Sequence, residues 1–237
     1  MKQKFHFLVF VCVGFWSYTL AQPVVALQPS GNDSATTLFY KSISANSHLY
    51  NGTEYIMYDQ HIQGDPYFLA QATNGNVYYD GTLYKDVQML YELTTGNVVV
   101  RQHDNGVLIC LIKQKVKYFN LFNHTFIHVE PDSGNTVITD DFYDQVYKGK
   151  TEVYIKRQKI LYEDPSTYAR SFIQNDKYFI YKNNIWHQVS SQGDILSLFK
   201  EHKKEIAKYL RQNKIKYKKD HERAMIKMAE YYDNLTH

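Results

Sequence analysis

Turn-forming dipeptides recur at short intervals between residues 51 and 184, and this spacing limits what the chain can fold into more than any other feature. Asn-Gly and Asp-Gly pairs favour positive φ at both central residues, as a tight hairpin turn requires. The turn signals are Asn51-Gly52, Asn74-Gly75, Asp80-Gly81, Gly96-Asn97, Asn105-Gly106, Gly134-Asn135, Lys148-Gly149 and Asn183-Asn184.

Short runs of Val, Ile, Tyr, Phe and Thr fill the intervals between these turns, and such residues favour a pleated sheet. Because no helical pattern separates the runs, neighbouring strands are expected to pair antiparallel. The sequence therefore predicts a mainly β (α+β) fold, with a curved antiparallel β-meander over residues 38–189. The predicted strands cover residues 54–58, 76–79, 87–92, 98–102, 107–112, 117–121, 125–130, 152–156, 178–182 and 185–189.

Residues 1–21 have the layout of a secretory signal peptide. Lys2 and Lys4 form a positive start, residues 7–15 are almost entirely apolar, and small side chains stand at Thr19 and Ala21 before the expected cleavage site. The apolar core is shorter than the ~20 residues that span a bilayer, and no longer apolar run follows. We therefore predict export to the periplasm or the extracellular space, with a disordered leader over residues 22–37.

Residues 190–237 change from strand to helix patterning. We predict two amphipathic helices that pack on the sheet as part of one domain with residues 38–189. Ser191 and Asp194 form a capping-box signature, and Asp220 is placed to cap the second helix. On the first helix, the residues expected to be buried recur with a 3.6-residue period, namely Ile195, Leu198, Phe199, Ile206 and Leu210.

No catalytic, metal-binding or cofactor motif stands out, so we assign no catalytic residue, no metal ligand and no cofactor. His124 and His128 lie about 13 Å apart on a predicted strand at roughly 3.3 Å per residue, which is too far for one zinc ion. Cys110 lies in an apolar run and is expected in a doubly buried central strand. A cluster of three aspartates lacks the residue spacing of a calcium-binding loop, so we expect it in a solvated loop. The cluster consists of Asp140, Asp141 and Asp144.

Tyrosine is unusually frequent, with 22 residues in the chain of 237. Tyrosine rings exposed on a sheet can stack on sugars or line a groove for an apolar ligand. The alternative explanation is that tyrosine suits strands and sheet edges. The tyrosines of the first third supply our candidate ligand-binding residues, which are Tyr55, Tyr78, Tyr84 and Tyr91.

These observations favour an exported, non-enzymatic protein of the cell envelope with a binding or structural role. One alternative is a carrier that holds an apolar, lipid-like ligand on the concave face of the sheet. The other is a hydrolytic enzyme whose residues escape motif recognition. The partners considered are an apolar ligand and another envelope protein, and nucleic acid is not expected.

Charge is distributed unevenly along the chain. Residues 22–199 carry 14 Lys and Arg against 18 Asp and Glu, whereas residues 200–227 carry 11 against 4. We expect this basic segment to be a solvated helix face. The alternative is contact with an anionic membrane through residues 200–227, because clustered lysines are attracted to anionic headgroups.

Several short motifs resemble those of an uncharacterised family of exported β-rich proteins common in Bacteroidota. They are Tyr50-Asn51-Gly52-Thr53, Gly64-Asp65-Pro66-Tyr67-Phe68, the hairpin at 79–84, the helix segment at 198–206 and the pair Tyr231-Tyr232. The resemblance implies an envelope location and no established activity, so it transfers no functional residue. The predicted architecture is also similar to the curved-sheet periplasmic carriers of lipoproteins and lipids.

Overall fold

The computed structural model describes residues 48–102, 106–131 and 137–236. The predicted signal peptide, residues 1–21, and the predicted leader, residues 22–37, lie outside the described residues. The strands in chain order are β1 (Thr53–Glu54), β2 (Thr73–Tyr79), β3 (Thr82–Glu92), β4 (Asn97–Arg101), β5 (Leu108–Cys110), β6 (Val116–Leu121), β7 (His124–Val129), β8 (Asp141–Lys148), β9 (Glu152–Lys156), β10 (Lys159–Glu163), β11 (Arg170–Gln174), β12 (Lys177–Lys182) and β13 (Ile185–Val189).

The main sheet contains 11 strands in the order β1-β5-β4-β3-β2-β6-β7-β8-β9-β12-β13. Strands β2 to β5 pair in sequence order, and so do β6 to β9, so each set is a meander. Between the two sets the chain crosses back, and β6 pairs with β2. Strands β10 and β11 form a separate two-stranded ribbon. The predicted mainly β, antiparallel, meander-like fold is confirmed. Three pairings join strands that are not consecutive in the chain, which a simple meander does not include: β1 with β5, β2 with β6 and β9 with β12.

The inner face of the sheet coils around an aromatic core. Strands β3 and β8 are separated by three strands, so a flat sheet would place them about 19 Å apart at ~4.8 Å per step. The ring of Tyr91 on β3 nevertheless lies 6.0 Å from the ring of Phe142 on β8. Phe119 and Phe126 pack between them, with ring centroids 5.0 and 4.8 Å from Tyr91. The expected curvature is therefore present, and side chains fill the concave face.

Three helices follow the sheet: α1 (Gln192–Leu198), α2 (Lys203–Gln212) and α3 (His221–Leu235), with a 3₁₀ turn at Lys200–His202 between α1 and α2. The predicted first helix is thus broken near Phe199. Both predicted caps are confirmed, because the Ser191 side chain accepts a hydrogen bond from the Asp194 amide and Asp220 accepts one from the Arg223 amide. None of the described helices is both long enough and apolar enough to cross a bilayer.

The helices bury their apolar faces against β9, β12 and β13. Ile195, Phe199, Ile206 and Leu210 are buried as predicted, and Leu198 packs partly buried beside them. They form one cluster with residues of the sheet, which are Val153, Ile180 and Val189. The predicted packing of the C-terminal helices on the sheet is confirmed.

Three local expectations were wrong. Of the strand predicted over residues 54–58, only Glu54 lies in a strand, because the chain leaves the sheet edge after β1. The acidic segment expected as a solvated loop continues into strand β8, where the Asp144 side chain is only 1 % exposed. A carboxylate tolerates this position because its partners come from distant parts of the chain, as described below. Cys110 is half-buried rather than doubly buried, because β5 lies next to the short edge strand β1.

Candidate functional site

Residues 55–72, here called the strap, cross the outer face of β3, β4 and β5. Tyr67 packs there on Leu90 and Val99 in a small buried cluster. The backbone of the strap is fixed to the end of β3 by two hydrogen bonds of 2.8 Å, from the Phe68 amide to the Tyr91 carbonyl and from the Leu93 amide to the Pro66 carbonyl. The strap is therefore anchored to the sheet through residues 66–68.

The Gly64–Phe68 motif gives the strap its bend. Gly64 has φ of +85°, a left-handed conformation that glycine adopts without the penalty of a side chain. The Asp65 carboxylate accepts a hydrogen bond from the Tyr67 amide at 2.9 Å. Lys159 Nζ then donates to the carbonyl oxygens of Asp65 and Tyr67, both at 2.8 Å. These bonds hold the motif in one conformation.

The β10–β11 ribbon forms the second wall beside the strap. The Gln63 amide donates to the Arg170 carbonyl at 2.9 Å, and the Phe172 amide donates to the Gln63 carbonyl at 3.0 Å. The ring of Phe172 meets that of Tyr58 at 5.1 Å and nearly at a right angle. Two elements far apart in sequence thus bring aromatic rings together at one place.

Between strap and ribbon lies a depression of about 450 Å³, here called the strap groove. This volume is within the range of about 300–1,000 Å³ that is usual for small-molecule sites. Met57, which lines the groove, and its neighbour Ile56 are 61 % and 85 % exposed. The groove is lined by Met57, Tyr58, Asp59, Gln60, Ile62, Gly64, Asp65, Pro66, Tyr67 and Phe172.

The charged residues that line the groove are both carboxylates. The His61 amide donates to Asp59 and lowers the pKa of that carboxyl group, so it is ionised at neutral pH. One oxygen of Asp65 is engaged by Lys159 at 3.2 Å. Arg170 approaches Asp59 only to 3.6 Å, from outside the lining. The rim of the groove is therefore acidic, although partly compensated.

A buried carboxylate lies behind the aromatic wall. Glu92 is fully buried, and its oxygens accept hydrogen bonds from the amides of Thr94 and Thr95 at 2.7 and 3.0 Å. No Lys or Arg of the described residues forms an ion pair with it. Burial, followed by the charge of Glu92, raises the pKa of Tyr58, so this tyrosine is a neutral phenol.

The structure does not bring the four candidate tyrosines together. Tyr55 is the first residue of the strap and packs partly buried against the Tyr67 cluster, where its hydroxyl donates to that of Tyr67 at 3.3 Å. Tyr78 stacks on Tyr118 on another part of the surface, beside a more open depression of about 490 Å³ with charges of both signs. Tyr84 and Tyr91 are buried in the core. Of the four, Tyr55 is the nearest to the strap groove, since its partner Tyr67 lines it.

Tyr58, Tyr67 and Phe172 were not predicted to lie together. One signal in the sequence does point to the groove: four residues of the Gly64–Phe68 motif line it, which are Gly64, Asp65, Pro66 and Tyr67. Nothing in the sequence indicated Phe172, because the β10–β11 ribbon that carries it was not predicted.

Asp144 is the centre of a second polar cluster, in the interior. One of its oxygens accepts hydrogen bonds from His124 Nδ1 at 2.7 Å and from Arg157 at 2.8 Å, while the other is buried without a partner in the described chain. The other contacts of His124 are the rings of Phe68 and Phe126. Among the described residues, no serine, threonine or cysteine side chain forms a hydrogen bond with His124, and nucleophilic catalysis by a His–Asp pair needs such a group.

His124 and His128, the two histidines of β7, have different carboxylate partners. His124 pairs with Asp144, whereas His128 pairs with Asp140 at 2.6 Å. In the parts of the chain that the structure describes, no group of three or more His, Cys, Asp or Glu is arranged to hold a metal ion.

Comparisons with protein-family models, with curated proteins and with solved structures find no match to this chain.

Proposed function

We propose that this chain is an exported, non-enzymatic binding protein of the cell envelope, and that its ligand is an organic cation of the alkylammonium type held in the strap groove. The signal-peptide pattern supports export. The observation that carries the binding proposal is the combination, in one preformed groove, of aromatic walls with carboxylates as the charged lining.

Aromatic rings attract cations because the face of each ring carries partial negative charge. The rings of Tyr58 and Phe172 stand at nearly a right angle, so they offer a corner rather than a single flat platform. A cation over such a face gains about 0.5–1 kcal/mol when exposed and about 2 kcal/mol when desolvated. Asp59 and Asp65 add negative potential to the same region, partly offset by Arg170 and Lys159.

The packing of the protein interior also favours a ligand site on the outer face of the sheet. The concave face, where a carrier of an apolar ligand would hold its cargo, is filled by the aromatic core around Tyr91 and by the helix cluster around Phe199. A ligand is therefore better placed in the strap groove than between the sheet and the helices.

Calorimetric titration with choline, compared with the uncharged dimethylbutanol in which carbon replaces the nitrogen, tests the proposal. The two probes have nearly the same shape, so their difference in affinity measures the effect of charge. We expect choline to bind at least about tenfold more tightly, equivalent to about 1.4 kcal/mol. Equal affinities, or no binding of choline, would contradict the proposal.

A pair of tyrosine variants locates the site. Tyr58→Ala removes a ring from the groove wall and should weaken choline binding about tenfold, the order of one desolvated cation–π contact. Tyr168→Ala removes a ring that is 76 % exposed and does not line the groove, so it should leave the affinity unchanged. An equal loss in both variants would place the ligand elsewhere.

A further inference from the structure

The segment from Lys200 to Lys219 presents a dense group of positive charges, here called the cationic face. It contains eight lysines and one arginine, all exposed. They are Lys200, Lys203, Lys204, Lys208, Arg211, Lys214, Lys216, Lys218 and Lys219.

These nine charges are not neutralised by the fold. Ion pairs elsewhere in the described chain engage cations such as Lys113, Lys156 and Arg157, but none involves a residue of the cationic face. The segment has two acidic residues, both exposed: Glu201 is engaged by Tyr232 and Lys182, whereas Glu205 forms no ion pair in the described chain. The face therefore keeps a large net positive charge.

The core fixes this face in place. On α2, Ile206 and Leu210 point into the helix cluster, whereas Lys204, Lys208 and Arg211 lie on the opposite side of the helix. In the segment that follows, Tyr217 is buried in the same cluster and Ile215 packs partly buried against it. Lys214, Lys216 and Lys218 alternate with them and are exposed. Burial of the apolar residues thus orients the lysines outward.

The side chains of the cationic face favour an anionic membrane surface as the partner over a nucleic acid. Lysine acts as a point charge, whereas arginine forms the bidentate forks used in nucleic-acid recognition. From residue 190 to residue 236 the structure exposes no large apolar side chain that could stack on a base or insert among lipid tails.

We infer that the cationic face binds anionic lipid headgroups and holds the protein at a membrane surface by electrostatic attraction, without insertion. This inference is independent of the strap groove, which lies in another part of the fold and takes a ligand of the opposite charge. Each lysine near such a surface contributes an attraction that corresponds to about fivefold in affinity.

Sedimentation with vesicles of phosphatidylglycerol and phosphatidylcholine, against vesicles of phosphatidylcholine alone, tests the inference. We expect binding to the anionic vesicles at about 0.1 M salt and its loss at about 1 M, where the screening length falls from about 10 Å to about 3 Å. The variant Lys203→Glu/Lys204→Glu/Lys208→Glu should bind at least about 100-fold more weakly.

The matched control is Lys85→Glu/Lys148→Glu/Lys177→Glu, which changes the net charge by the same amount at exposed lysines outside the cationic face. We expect it to retain most of the binding. An equal loss in both variants would mean that only net charge matters and would overturn the inference. Binding that survives high salt, or retention on duplex DNA without vesicle binding, would overturn it as well.

Discussion

Phe199→Ala should lower the free energy of unfolding by roughly 3–5 kcal/mol, as truncation of a large core side chain does. Phe199 is fully buried between α1 and α2, and its ring stacks on Tyr232 of α3 at 4.2 Å. Removal of the ring leaves a cavity where all three helices meet the sheet. Urea denaturation followed by circular dichroism measures the change.

The control for this experiment is the charge reversal Lys203→Glu/Lys204→Glu. Both lysines are exposed on α2 and form no ion pair in the described chain, so stability should change by less than about 0.5 kcal/mol. If the reversal destabilised the protein as much as Phe199→Ala, the helices would not be held by the apolar cluster. A loss of under 1 kcal/mol for Phe199→Ala would lead to the same conclusion.

Arg157→Met should cost roughly 3–5 kcal/mol at neutral pH, because it removes the cation from a buried network. Arg157 donates to Asp144 at 2.8 Å and to Glu222 at 2.9 Å, and it lies 3.5 Å from Asp176. Burial opposes the charge of the guanidinium, but the charge of Glu222 and the bond to Asp144 outweigh this and raise the pKa of Arg157. Without Arg157, the carboxylate of Asp144 remains buried beside His124 alone.

The deficit of the Arg157→Met variant should shrink as the pH falls. A carboxyl group buried without a cation takes up a proton more readily in the folded variant than in the unfolded chain, so protonation favours the folded state at low pH. The control is Lys227→Met, which breaks an exposed pair with Glu230 and should cost under about 1 kcal/mol. A pH-independent deficit, or equal costs for the two variants, would contradict the role given to the buried network.

Local signals in the sequence were sufficient to predict most of the sheet. Strands β9 and β13 match their predicted ranges, and the capping box at Ser191 marks the first residue of a helix correctly. Turn chemistry and helix caps act over a few residues, so a single sequence contains them in full.

Features that depend on distant residues could not be predicted. Strand β8 carries carboxylates that indicate a loop, and Asp144 is acceptable there only because His124 and Arg157 reach it from other strands and loops. The same limit applies to the strap groove. Tyr58 and Phe172 are more than a hundred residues apart in sequence, and hydrogen bonds between strap and ribbon bring them together.

A titration with choline followed by two-dimensional amide NMR tests the binding proposal most directly, because it locates the ligand without any mutation. We expect shift changes to concentrate at residues 57–67 and at Phe172, with the amides of the aromatic core around Phe119 unchanged. Changes that cluster beside Tyr78 and Tyr118, or no changes at choline concentrations that saturate known aromatic cation sites, would contradict the assignment of the strap groove as the ligand site.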